Sequence, residues 1–375
     1  MINRSPYLDI VRGVAILMVV ISHTPIFPEN HSFLYFPMVV LNRIGWAGVD
    51  LFFVLSGFLV GGLLFKEYQK TSKIQVKRFF IRRAFKVWPG YFAFLLVYCT
   101  FQILRGDSTV LTALLPNFFH VQNYFSQTSQ VGWLWSLGVE EHFYLILPLA
   151  LGVLYKLKKM GNSKVSVTHL FLFVAITCLV LRALTYRLNP EAKEFTLVFP
   201  SHLRFDSLFA GVFLSYLVHF KNHRLEKLRP FQFYIFFVSV ALGLTTYFYP
   251  DKAQMFLYPF GLSLLYVAFS GIVLFAHFRT TNPKSVNSRW TQWLFAPFVF
   301  IGVRSYAIYV WHGYFAKPIA NRITATLGIS GSMLGWKGIL FELIYLGTPI
   351  FLGALMFLII EEPALKIRNK LFPSS

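Results

Sequence analysis

The sequence predicts an all-α, polytopic membrane protein of about ten transmembrane helices, with both termini in the cytoplasm. Three observations lead there. Of 375 residues, 56% are hydrophobic and only 13% charged, about half the charged share of an ordinary soluble domain. Apolar runs long enough to cross a bilayer recur along the whole chain, and the mean hydropathy is +0.58. The basic residues cluster in short loops between those runs, on alternating sides, which is how a membrane chain sets its orientation.

In order, the expected spans are Tyr7–Phe27, Trp46–Phe65, Val87–Leu104, Trp133–Tyr155, His169–Tyr186, Ser201–Phe220, Phe231–Tyr249, Met255–Phe278, Val299–Ile319 and Leu340–Ile360. The first carries no small-x-small cleavage pattern behind its long apolar part, so it reads as a retained helix rather than a leader. One set of loops holds Lys66 to Lys86, Lys156 to Lys164, Lys221 to Arg229, and Arg279, Lys284 and Arg289. Arg4 and the Lys366, Arg368, Lys370 group put both termini on that side. The other set holds far fewer: Arg43, Arg105, Arg187, Lys193, Lys252, Lys317, Arg322 and Lys337. The positive-inside rule makes the first set cytoplasmic.

No loop exceeds roughly 30 residues, so residues 1–375 read as one membrane-embedded domain with no separate soluble domain, linker or internal repeat. The net charge of +20 is spread over many loops rather than gathered in an arm, which argues against nucleic acid as a partner and for membrane lipid. Cys99 and Cys178 lie in apolar runs and offer neither a disulfide framework nor metal spacing.

The first helix contains the pair that defines the candidate site. In LDIVRGVAILMVVISHT, Arg12 and His23 are eleven positions apart. At ~100° per residue they fall within ~20° of one face, roughly 16 Å apart along the axis. A cation and an imidazole on one stripe of a lipid-embedded helix belong beside a polar interior. Taken singly, Arg12 has an alternative as a snorkelling side chain paired with Asp9, and His23 as an interfacial residue.

Four further stretches carry polar residues. In GVDLFFVLSGFLVGG, residues Ser56, Gly57, Gly61 and Gly62 fit close helix packing, and Asp50 fits an interface. VKRFFIRRAFKVWPGY places Arg78, Arg82, Arg83 and Lys86 on one side of a short helix. That helix is either held by anionic headgroups or acts as a phosphate cradle, since guanidinium groups bind phosphate bidentately. VGWLWSLGVEEHFYLILP carries Glu140 and Glu141 about two turns inside a helix. They require a cavity or a cationic partner such as Arg204 or Arg304, and Glu140 shares a face with Tyr144. HLRFDSLFAG supplies Arg204 and Asp206 as polar scaffolding. RSYAIYVWHGYF puts His312 in the membrane, with a catalytic and a core reading both open. IIEEP ends the last helix, where Glu361 or Glu362 can pair with the basic loop.

Taken in order, these stretches resemble the acyltransferase-3 family of integral membrane O-acyltransferases across nearly the whole chain. The likeness rests on Arg12 with ten residues before His23, then GVDLFFVLSGFL, FFIRRAFKVWPGY, WLWSLGVEEHFYL, LRFDSLFAG, SYAIYVWH and IEEP. The resemblance implies a ten-helix enzyme that moves an acyl group, often acetyl from acetyl-CoA, to a hydroxyl of a carbohydrate or related acceptor. It also implies that Arg12 and His23 are central to the reaction and that Arg78, Arg82 and Arg83 bind the donor. The sequence departs from the family pattern at Lys86, where arginine is common, and at His142, where glutamine is common. Some members carry a fused extracytoplasmic hydrolase-like domain, which this chain is expected to lack.

Together these readings predict a mechanism in a bacterial cytoplasmic (inner) membrane. Acyl-CoA phosphates sit on Arg78, Arg82, Arg83 and Lys86. His23 acts as general base toward the acceptor hydroxyl, because imidazole titrates near neutrality. Glu140 or Glu141 orients His23, and Arg12 or another donor stabilises the oxyanion. No metal is expected. Expected partners are acyl-CoA, a carbohydrate or glycolipid acceptor and glycan-assembly proteins. The rival class is a transporter or flippase for a lipid or sugar, in which Arg, His and Glu form a relay; direct transfer and an acyl-histidine both stay open.

Overall fold

The structure is a computed structural model, and it describes residues 5–25, 35–125, 131–160, 166–189, 194–245, 257–281, 289–330 and 335–373. Arg4, Lys164, Lys193, Lys252 and Lys284 lie outside these residues, as do the far end of the first expected span, the end of the seventh and the start of the eighth.

Among the described residues the chain is helical, without strands. The longer helices are α1 (Pro6–Ser22), α2 (Tyr35–Gly45), α3 (Gly48–Thr71), α4 (Val76–Leu104), α5 (Trp135–Lys159), α6 (Val167–Leu188) and α7 (Phe205–Phe220). They continue with α8 (Gln232–Leu244), α9 (Leu257–Thr280), α10 (Arg289–Val303), α11 (Ser305–Trp311), α12 (Lys317–Thr326), α13 (Trp336–Met356) and α14 (Glu362–Leu371). Among the described residues six helices are long and apolar enough to cross a membrane, or seven if the pair 293–303 and 305–326, bent by 57°, counts as one span. The hydrocarbon solvent explains the all-helical solution, because every backbone N–H and C=O must be satisfied within its own segment.

Several boundaries differ from the expected spans: α1 ends at Ser22, α3 runs on to Thr71, the ninth span is bent at Arg304, and two further differences bear on the basic residues. The basic stretch before Val87 is not a separate short helix: α4 runs unbroken for 29 residues through Pro89. The arginines therefore ride on the first turns of the same helix whose other end reaches Leu104. The last helix does not stop at IIEEP; a π turn, Phe357–Glu361, joins α13 to α14.

Contacts between helix ends sort the bundle into two poles. At one pole Ser5 Oγ meets Thr280 Oγ1 at 2.5 Å, Gln69 donates to the His219 carbonyl, and Tyr68 stacks on Tyr155 at 3.7 Å. This basic pole holds the starts of α1 and α4 with the ends of α3, α5, α7 and α9. The opposite pole holds the end of α1 with the start of α5 and the end of α11, where His23, Trp133 and His312 gather.

The core joins α3 to α7 most closely. A Cβ on Gly57 would overlap the Leu208 carbonyl, and one on Gly211 the Val54 carbonyl, so glycine at both positions lets the two backbones touch. The outer face of α6 is apolar instead: Leu172, Phe173, Ile176, Val180 and Leu184 are all about half exposed or more. An apolar face of that size turned outward suits a lipid solvent.

Candidate active site

The helix α1 begins with Ser5 capping the Leu8 N–H and Pro6 in the first turn, and it continues unbroken to Ser22. That continuity keeps Arg12 and His23 roughly 16 Å apart along the axis. The Arg12 guanidinium pairs with Asp9, one turn toward the helix start and away from His23. Asp9 is buried and Arg12 about a quarter exposed.

His23 caps the other end. Its Nδ1 meets the Val19 carbonyl at 2.8 Å. A carbonyl only accepts, so Nδ1 carries a proton, and Nε2 is the nitrogen left to act as a base. The orienting partner expected from Glu140 or Glu141 is thus a backbone oxygen. Beside it stands His312, with ring centroids 4.9 Å apart and planes at 73°. His312 lies where α11 gives way to a π turn, His312–Ala316, a wider coil that recurs at functional sites.

The two carboxylates lie deeper in the bundle, on α5. Tyr144 donates to Glu140 at 3.2 Å, and the Tyr144 hydroxyl shares a 2.8 Å bond with Ser56 Oγ. Ser56 is therefore a polar partner rather than packing alone. The Arg83 guanidinium lies 4.8 Å over the Tyr144 ring, and its charge acts on both Glu140 and Glu141. Trp88 donates to Glu141 at 3.2 Å. Arg204 is not their partner: it pairs with Asp50, while Arg182 pairs with Asp206 at 2.7 Å. All four of these side chains are buried, which moves Asp50 from the interface to the core.

Between the carboxylates and the histidines, α11 supplies two tyrosines. Tyr306 donates to the Val87 carbonyl at 2.6 Å, and Tyr309 donates to the Trp133 carbonyl at 2.5 Å and meets Ser136 Oγ at 2.5 Å. Neither tyrosine stands out among the polar residues of the sequence. Their signal is the SYAIYVWH run, in which two hydroxyl-bearing rings and a histidine recur at three-residue spacing on a buried helix. His142 bonds Ser201 Oγ at 2.6 Å.

At the basic pole, Arg78 and Arg82 donate to the carbonyls of Pro373 and Phe372, and Lys86 pairs with the buried Glu361. An open groove of about 450 Å³ lies alongside, lined by Gln75, Val76, Lys77, Arg78, Ile81 and Phe372. Backbone carbonyls are neutral partners, so Arg78 and Arg82 keep their positive charge available to an anion. Among the described residues no three His, Cys, Asp or Glu side chains stand close enough to share a metal.

An apolar helical bundle with paired polar side chains buried inside it defines an integral membrane protein. The family profile described as an acyltransferase domain matches residues 5–360, and the chain belongs to that acyltransferase-3 family. It is 29% identical to the peptidoglycan O-acetyltransferase OatA of Listeria monocytogenes, over 96% of this chain and 56% of that protein. It is also 29% identical to a provisionally named O-acetyltransferase of Staphylococcus aureus, over 82% of this chain and 50% of that one. With YrhL of Bacillus subtilis, provisionally named a peptidoglycan O-acetyltransferase, the identity is 26% over 82% of this chain and 48% of the relative. The chain spans about half the length of these curated relatives. No solved structure matches it significantly.

Proposed function

We propose that this chain is a bacterial membrane O-acyltransferase that moves an acetyl group from cytosolic acetyl-CoA to a hydroxyl of a cell-surface carbohydrate. The observation that carries this reading is His23, held by a backbone carbonyl in the tautomer that exposes a basic Nε2 at the pole opposite the arginines. Family membership and the names of the relatives support acyl transfer, and the peptidoglycan glycan strand is the acceptor to test first.

In this reading residues 1–375 form one membrane-embedded domain in the cytoplasmic membrane. In it the six or seven helices long and apolar enough to cross a membrane, with the shorter α1, α7 and α8, make up the ten expected spans. The excess of Lys and Arg at the basic pole makes that pole cytoplasmic. The CoA phosphates bind Arg78, Arg82, Arg83 and Lys86, charge to charge and bidentately where arginine supplies the fork. Tyr144, bonded to Glu140 and Ser56, carries the Arg83 guanidinium over its ring, and Glu141 accepts from Trp88. Arg12 lines the route of the pantetheine arm.

At the far pole His23 Nε2 removes the acceptor's hydroxyl proton as the oxygen bonds to the acyl carbon. The carbon–sulfur bond then breaks and the proton goes to the departing thiolate. General-base assistance of this kind contributes about 10²–10⁴-fold.

The test is purified protein with radiolabelled acetyl-CoA and glycan fragments. Label should move to the glycan, and His23→Ala should abolish that while leaving binding of a CoA analogue intact. Label that stays on CoA with the wild-type protein would favour a transporter or flippase. Retained turnover in the variant would remove His23 as the base.

A further inference from the structure

Under the reading above, His23 passes through a cationic state during each turnover. An imidazolium at the end of an apolar bundle needs a partner, and the sequence reading assigned that task to Glu140 or Glu141. Both carboxylates are engaged elsewhere, with Tyr144 and with Trp88. A carbonyl on Nδ1 fixes the ring's tautomer, and a second ring, that of His312, stands beside it.

We infer that His312 is a positioning residue for His23, supplying the lone pair that faces the imidazolium while the acceptor's proton resides on it. Three observations carry this. His312 Nδ1 meets the Tyr309 carbonyl at 2.7 Å, so the proton sits on Nδ1 and Nε2 bears a lone pair. That Nε2 is buried and has no hydrogen-bond partner, which costs free energy in the resting state. Its ring lies 4.9 Å from the His23 ring, nearly perpendicular to it.

The surroundings hold His312 in place. Trp133 closes one side, with its ring 6.1 Å away, and a side chain at Gly313 would overlap the Trp133 ring. Tyr309, which supplies the carbonyl, is itself tied to Ser136 and to the Trp133 backbone. A histidine needed only to fill the core would not require an uncapped acceptor beside the one imidazole that must become charged.

The inference rests on His23 being the base, and the experiment separates the two. Transfer would be measured for His312→Gln and His312→Phe, with His23→Gln alongside. Glutamine offers an acceptor oxygen near the same place; phenylalanine fills the space without one. The expected result is a kcat within about threefold of wild type for glutamine and at least about 30-fold lower for phenylalanine. Acceptor KM and binding of a CoA analogue should stay unchanged in both. A phenylalanine variant with wild-type kcat overturns the inference, as does an equal loss in both variants. Turnover by His23→Gln overturns the functional reading instead.

If the phenylalanine variant fails to fold, ¹⁵N spectra of histidine-labelled wild-type protein decide the matter. Protonated Nδ1 and bare Nε2 on His312 are expected, and a proton on Nε2 overturns the inference.

Discussion

Two regions of this molecule bury charge in opposite ways. Between α3, α6 and α7, Asp50 pairs with Arg204 and Asp206 with Arg182, and all four side chains are closed off from the surroundings. Along α1 and the start of α4, Arg12, Arg78, Arg82 and Lys86 are half-buried, and His23 is exposed. Arg78 and Arg82 lean on backbone carbonyls, while Arg12 meets Asp9 and Lys86 meets Glu361 at the margin of the bundle. The same residue types serve both regions. A cation that has met its anion in a closed core is committed to holding helices together, whereas one resting on a neutral carbonyl keeps its field for a ligand. Charge alone does not mark a site in a membrane protein; unspent charge does.

The comparison can be broken most forcefully at the closed pairs. Arg204→Met leaves Asp50 buried without its cation and should cost about 3–5 kcal/mol, read as a lower thermal midpoint in detergent. Adding Asp50→Leu should recover most of that loss. A stable single variant would mean that the pair is not a scaffold.

Next in size is the contact that brings those helices together. Gly57→Ala drives a methyl group into the Leu208 carbonyl and should cost about 1–3 kcal/mol, again read from thermal unfolding. An unchanged midpoint would show that α3 and α7 can separate freely.

Arg82→Ala sharpens the other side of the comparison. Only a carbonyl bond is lost, so stability should change by less than about 1 kcal/mol, while affinity for a CoA analogue should fall about tenfold or more. Undiminished affinity would count against the phosphate cradle.

The smallest effect near neutral pH belongs to His120, in the connection between α4 and α5. Burial, helped by the nearby His142, pushes its pKa down from 6.5 to about 4. The folded protein therefore holds the neutral ring, and the unfolded chain takes up the proton first. His120 should leave stability unaffected above pH 6.5, then cost progressively more as pH falls toward 4. His120→Phe should flatten that part of the stability profile, and an identical profile would remove His120 as its source.

Much of this was legible in the sequence. Arg12 and His23 could be placed on one stripe because helical period and bilayer thickness are fixed quantities, and α1 carries Arg12 within it and His23 as its C-cap. The arginines at 78, 82 and 83 were visible as a cluster for the same reason. Their continuity with the following span was hidden because the apolar run begins only at Val87, where the charges end, whereas α4 carries both in one helix. Asp50, Glu140 and Glu141 were recognisable as residues that need partners, but the choice among Arg83, Arg204 and Arg304 was not.

The sequence by itself determined that the chain is helical, that it belongs in lipid, and where along each helix the polar residues fall, because these follow from local periodicity and transfer free energy. The tertiary structure decided which polar groups meet. Asp50 finds Arg204 across 154 positions of chain, and His23 finds His312, while Glu140 and Glu141 bond Tyr144 and Trp88. Pairing of that kind depends on how helices cross, and helix crossing is set by close contacts such as Gly57 on Leu208, which no local pattern encodes.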